Sequence, residues 1–251
     1  MADKSTDTPA APSAPMPLFY SKVSALDSNA HKDMHFDRAR GFGYAAKTNA
    51  IPLSIAEFTT AAAHYPIVFT KGPDVAALVV TGFREGENLF VDKDNQWRAG
   101  VYVPAYVRAY PFIFIEQPGT DQLIFGIESE AEMLGATGVP LFEDGKPSDA
   151  LQEAMQFCGT YHQSHKATRE MCQALDAAGL LAENQAVITF KNGTSARVDG
   201  FRVIDPAKLD AVSDETFVEW RKKGWIAPIY AHLVSAGRWS QIVDLGAEHL
   251  A

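Results

Sequence analysis

The chain has 251 residues, enough to bury about 70% of its unfolded surface in a real core. A composition of 47% hydrophobic and 21% charged residues excludes wholesale disorder, collagen and coiled coil. The formal net charge of −9 argues against non-specific binding of nucleic acid or of anionic membranes.

Residues 1–17 form a Pro/Ala-rich stretch without the apolar segment of a secretory signal, and they read as a disordered tail. The remainder, 18–251, divides near residue 145 into a strand-rich part, 18–145, and a helix-rich part, 146–251, expected to form one compact unit. No window of about 18 apolar residues occurs, so no membrane insertion is expected.

In chain order, Leu53, Ala56, Phe58 and Ala62 have roughly helical spacing, which predicts a short helix over 52–65 stopped by Pro66. Ile67–Thr70 reads as a strand, Gly72-Pro73-Asp74 as a turn, and Val75–Phe83 as a β-branched strand. Leu89-Phe90-Val91 continues an antiparallel meander. Asn88, following Glu85-Gly86-Glu87, suits a left-handed turn position. Pro104 and Pro111 forbid one regular central strand over 101–114, leaving a short helix at Ala105–Ala109 between extended pieces. Leu123–Ile127 is a further strand. Ser148 and Gly179 bracket a helix of about 30 residues, with Gly159 as a candidate kink. Ala186–Phe190 and Ala196–Val203 flank Asn192-Gly193, a hairpin signal. Asp205-Pro206 and Ser213 open two more helices, the second ending at Gly224. The segment 226–245 reads as helical, broken near Pro228 and Gly237. The sum is an α+β fold, with a mainly antiparallel sheet in the N-terminal half, segregated helices and a helix-rich C-terminal half.

Cys158 and Cys172 fall fourteen positions apart on the long helix, about 21 Å. A disulfide needs Cα atoms within about 7 Å, so both are predicted to be free thiols, which favours a reducing, cytoplasmic setting. Gly41-Phe42-Gly43-Tyr44-Ala45-Ala46 spells a dinucleotide fingerprint, but no apolar strand precedes it and Pro52 cuts short any helix after it. His31 and His35 have i,i+4 spacing without the glutamate of a zinc-protease motif. Cys158, His162 and His165 share one helical stripe with Met155, Arg169 and Cys172. That stripe is either a three-ligand metal site lacking its fourth ligand or an interface between packed elements. Asp92–Gln96 starts like a calcium loop, but Trp97 replaces the obligatory glycine, and Asp92 and Asp94 are better read as caps of a hairpin turn. No cofactor and no metal is expected.

The distinctive region is Gly82–Phe114, where Phe83, Phe90, Trp97, Tyr102, Tyr106, Tyr110, Phe112 and Phe114 crowd around Arg108. Rings with arginine occur both in cores with a stacked guanidinium and at surfaces that meet partners.

A family likeness runs over almost the full chain. His64–Phe69, Gly86–Asp92, Trp97, Tyr102–Phe112, Leu141–Pro147 and Gly224–Ser235 occur in an order that resembles the bacterial SapC family over about 17–245. The family's name implies surface-layer protein export or assembly. The frequent encoding of its members near TonB-dependent receptors, tryptophan-halogenase-like and cupin-like hydroxylase-like proteins implies an accessory role in uptake or modification. On this reading the chain is an accessory protein that binds a protein or peptide, possible partners being halogenase-like or cupin-like proteins. The residues expected to meet the partner are Asn88, Asp92, Trp97, Tyr102, Tyr106, Arg108, Tyr110 and Phe112. An enzyme acting on a peptide or amino-acid side chain is the alternative, with His64, Asp92, Arg108 and His232 as acid–base candidates.

Overall fold

Every strand pairing in the computed structural model, which describes residues 16–117, 120, 122–189 and 195–249, is antiparallel. Residues 1–15 of the Pro/Ala tail and residues 190–194, which carry the expected Asn192-Gly193 hairpin signal, lie outside the described residues. In chain order the elements are β1 (Val23–Ala25), β2 (His35–Phe36), β3 (Ala50–Pro52), α1 (Phe58–Ala61), β4 (Ile67–Thr70), β5 (Ala77–Val80), α2 (Ala105–Ala109), β6 (Phe112–Glu116) and β7 (Leu123–Glu128). Short strands β8 (Leu134–Gly135), β9 (Val139–Pro140), β10 (Phe142–Glu143) and β11 (Lys146–Pro147) lead into α3 (Asp149–Ala177). Then come β12 (Leu181–Thr189), β13 (Ser195–Ile204), α4 (Pro206–Asp210), α5 (Asp214–Lys222), α6 (Ile226–Ser235) and α7 (Trp239–His249).

The largest sheet has the order β12-β13-β4-β5-β3, and a three-stranded sheet has the order β1-β7-β6. The fold is α+β, with strands mostly in the N-terminal half and helices mostly in the C-terminal half. The large sheet joins the two halves, because Phe201 and Arg202 of β13 pair with Thr70 and Phe69 of β4. Arg202 fastens that seam. Its Nε donates to the Thr70 carbonyl at 2.9 Å, and its Nη1 meets Asp176 Oδ1 of α3 at 2.6 Å. One connected apolar cluster runs from Tyr20 to Leu245 and includes Phe58, Tyr65, Phe69, Ile127, Leu151, Met171 and Ile229.

Local chemistry sets the helix ends. Ser148 caps α3 by accepting the Leu151 N–H at 3.3 Å, and Gly179, at φ 68°, follows its C-terminus. Asp205 accepts from Ala207 and Lys208 with Pro206 at the first helical position, and Ser213 accepts from Thr216. Four expectations are corrected. Over 52–65 only Phe58–Ala61 is α-helical, because Ala50–Pro52 pairs with Val80–Leu78 as a strand and Ile55–Glu57 is a single 3-10 turn. Leu89–Val91 is no strand; only Val91 bridges, to Trp97. Gly159 does not interrupt α3. Pro228 lies in the first turn of an unbroken α6, where its missing N–H costs no hydrogen bond, and the break falls at Ala236–Arg238.

Among the described residues no helix is long and apolar enough to cross a membrane.

Candidate functional site

Pro104, extended at φ −55° and ψ 144°, stands at the N-cap of α2, and Pro111 follows Tyr110 through a cis peptide bond. Between them the helix has five residues, too few to hold itself, and a buried carboxylate supplies the anchor. Glu57 is 5% exposed. Its Oε2 accepts from the Ser54 N–H at 3.1 Å and the Ser54 hydroxyl at 2.6 Å. Its Oε1 accepts from the Tyr102 hydroxyl at 2.9 Å and from the Ala105 N–H, the first residue of α2, at 2.5 Å. Burial, and then the Glu57 charge beside it, push the Tyr102 phenol up to about 12 against the pull of Arg108, so it stays protonated and donates. Tyr65 donates its hydroxyl to the Tyr102 carbonyl and accepts from Trp97 Nε1 at 3.0 Å.

This scaffold presents Arg108. Its Nε donates to the Val103 carbonyl at 3.0 Å and its Nη2 to the Tyr102 hydroxyl at 2.9 Å. The guanidinium lies 4.8 Å from the Phe157 ring centre and 5.5 Å from that of Tyr102. Among the described residues only two of its five N–H groups are committed, and the residue is exposed.

Beside Arg108 opens a cleft of about 190 Å³ whose lining includes Arg38, Phe36, Phe42, Tyr44 and Tyr110. Tyr44 and Tyr110 stack at 4.0 Å, and the Tyr44 hydroxyl donates to the Val107 carbonyl at 2.7 Å. The exposed Arg38 guanidinium sits 5.4 Å from the Phe36 ring centre. Neither arginine makes an ion pair among the described residues. The cleft therefore combines two cationic heads with an aromatic floor.

The structure divides the residues expected from the sequence. Arg108 and Tyr110 line the cleft, and Tyr102 orients Arg108. Tyr106 and Phe112 face the opposite side of α2, into a separate cavity. Asn88, Asp92 and Trp97 meet neither opening and hold the segment that carries Phe42 and Tyr44. Asn88 Nδ2 donates to the Ala45 carbonyl at 3.0 Å, and its Oδ1 accepts the Phe90 N–H at 3.0 Å. Its backbone is not left-handed, which corrects the turn expectation; the positive φ belongs to Gly86. Asp92 Oδ1 accepts from the Asp94 and Gln96 N–H groups, and the Asn95 carbonyl of that turn accepts the Phe42 N–H at 2.7 Å. Gly41 is required there, because at φ 78° an added Cβ would stand 2.4 Å from that carbonyl. The Gly41–Ala46 fingerprint is thus a packing turn, its only helical part the 3-10 turn Gly43–Ala45.

The acid–base candidates are dispersed. His232 is buried, its Nε2 accepting the Ile204 N–H at 3.0 Å, and burial pushes its pKa down to about 4. His64 lies after α1, lowered by burial and then by Arg238. Asp92 is spent on its turn, and Arg108 is a cation with no base beside it to take a proton, its Nη2 donating to the Tyr102 hydroxyl. The Cys158 and Cys172 thiols are buried and free, and burial pushes each up to about 12. No group of three or more His, Cys, Asp and Glu side chains able to hold a metal occurs among the described residues.

Glu57, Arg38 and Tyr44 escaped the sequence reading. Ser54-x-x-Glu57 is a capping-box pattern, the local signal from which Glu57 could have been found. No local pattern places Arg38 and Tyr44 beside residues 63 or more positions away.

The SapC family model matches residues 26–242. No curated protein and no solved structure matches the chain.

Proposed function

The chain belongs to the SapC family, and from that premise we propose that it is an accessory protein that binds a peptide segment of a partner protein in the arginine–aromatic cleft. The observation that carries this reading is the pair Arg38 and Arg108, both exposed and free of carboxylates among the described residues, over the stacked Tyr44 and Tyr110. Arginine beside rigid rings is the composition of interface hot spots. The segment it fits carries an acidic side chain next to an apolar or aromatic one. The acid pairs with the guanidinium fork and the apolar group covers the rings. Halogenase-like, cupin-like and TonB-dependent receptor proteins are the first partners to test, and two buried free thiols support a cytoplasmic meeting place.

The test compares wild type with an Arg38→Glu/Arg108→Glu double variant. Arg108 also holds the Val103 carbonyl and the Tyr102 hydroxyl, so thermal unfolding first establishes that the double variant is folded. Proteins captured by the wild type from its native host are identified, and each is purified and its affinity measured directly. The expected result is a loss of at least about tenfold for the double variant, since two charge-assisted contacts become repulsions. Equal affinities for a folded double variant reject the cleft as the docking site.

A further inference from the structure

On the other side of α2 lies a cavity of about 360 Å³, within the size range of small-molecule sites. Tyr106 and Ala109 of α2, Phe112 and Phe114 of β6, and Cys158 and Tyr161 of α3 form much of its lining, and Pro17 and Leu18 close it from the N-terminal side. The wall is overwhelmingly apolar. It nevertheless contains two buried polar atoms without a hydrogen-bond partner among the described residues, Tyr161 Oη and His165 Nδ1. An unmet buried polar atom costs about 1–3 kcal/mol, so a pair in one wall calls for an explanation.

His162 and His165 stand in this wall and also in that of an adjoining polar cavity of about 560 Å³, where Glu116, Lys166 and Arg169 join them. The helical stripe of Cys158, Tyr161, His162, His165, Lys166 and Arg169 therefore runs about 16 Å from an apolar chamber to a cationic mouth. Lys166 and Arg169 make no ion pair among the described residues. The Glu116 carboxylate lies 3.8 Å from His162 Nε2 and is largely exposed. Burial, then Arg169 and His162, lower the His165 pKa, leaving a neutral ring next to two fixed cations. A local excess of positive charge in a chain of net charge −9 selects for an anion.

We propose that the paired cavities form a binding site for a small amphiphilic monocarboxylate, its alkyl or aryl body in the chamber beneath α2 and its carboxylate at Lys166, Arg169 and His165. The site does not depend on the arginine–aromatic cleft. The stripe that spacing marked as a metal site or an interface is the spine of this pocket.

The test titrates the full chain with sodium octanoate by calorimetry, with octanol and octylamine as matched probes. Octanoate should bind one per chain with a negative heat-capacity change, the sign of apolar burial, and more weakly as salt rises. Octanol should bind at least about tenfold more weakly and octylamine not measurably, since each lacks the group that pairs with the mouth. A Lys166→Ala/Arg169→Ala variant, altered only at exposed sites, should lose about tenfold for octanoate and nothing for octanol. Arg108→Glu should leave octanoate binding unchanged, which keeps this result separate from the fate of the cleft. Absence of octanoate binding to folded protein, equal binding of acid and alcohol, or full octanoate affinity in the Lys166/Arg169 variant would each overturn the proposal.

Discussion

His232 joins α6 to β13 through one hydrogen bond, and its neutrality is a condition of the fold. A histidine in an unfolded chain takes up a proton near pH 6.5, whereas this one resists until about 4. Between those values the unfolded state binds more protons, so the stabilisation present above pH 6.5 is lost as pH falls toward 4. On the order of 3 kcal/mol rests on this group. His64 and His165 are lowered too and add to the same slope. Urea midpoints at pH 7, 6 and 5 should fall steeply for wild type and clearly less for His232→Gln. Parallel slopes would show that His232 is not the controlling group. Its role was not legible in the sequence, where the ring stood out only as an acid–base candidate. The amide it serves belongs to Ile204, and no local pattern connects 28 positions of chain. The caps were legible for the opposite reason: Ser148, Asp205 and Ser213 each serve N–H groups two or three residues away.

Among the elements, α3 shows how a glycine can be read wrongly. Gly159 suggested a kink, but 29 residues run through it without interruption. A Cβ built there meets nothing nearer than the Phe114 ring at 3.8 Å, an ordinary contact. Gly159→Ala should therefore stabilise the protein by about 0.5–1 kcal/mol, by restricting the unfolded chain. The melting temperature should rise by roughly 1–4 °C; a fall would mean that the contact with Phe114 of β6 has no room for the added methyl. The helix at Ala105–Ala109 was legible because prolines bracket it, and proline acts on its own neighbours. The segment 52–65 was misread because its apolar spacing imitates a helix, while Ile51 pairing with Val79 draws its start into the sheet. Periodicity describes one segment, and sheet membership depends on another.

For the molecule as a whole, the compositional boundary near residue 145 is crossed by the main sheet. β4 takes β13 as its outer neighbour, and the Ile67 N–H donates to Ser235 Oγ of α6 at 3.0 Å. Residues 18–145 alone would leave that edge bare and that N–H unmet. The isolated segment should show no cooperative urea transition and no near-ultraviolet aromatic signal, whereas the full chain should unfold in one step through both halves. A sharp transition in the fragment would establish two separable units. The strand-rich and helix-rich character was legible from composition, and the seam was not, because β4 and β13 carry no mark of each other in sequence.

The stretch Pro17–Tyr20 roofs the chamber beneath α2. The Leu18 carbonyl accepts the Tyr106 hydroxyl at 2.7 Å, and the Tyr20 hydroxyl donates to the Phe112 carbonyl at 2.8 Å. Pro17 and Leu18, which directly follow the first described residue, Met16, line that opening. The far end of the chain runs elsewhere, with Glu248 against Arg98 and Gly246 against Phe83. Affinity handles, dyes and surface-immobilisation points belong at that end, where they clear the chamber's doorway.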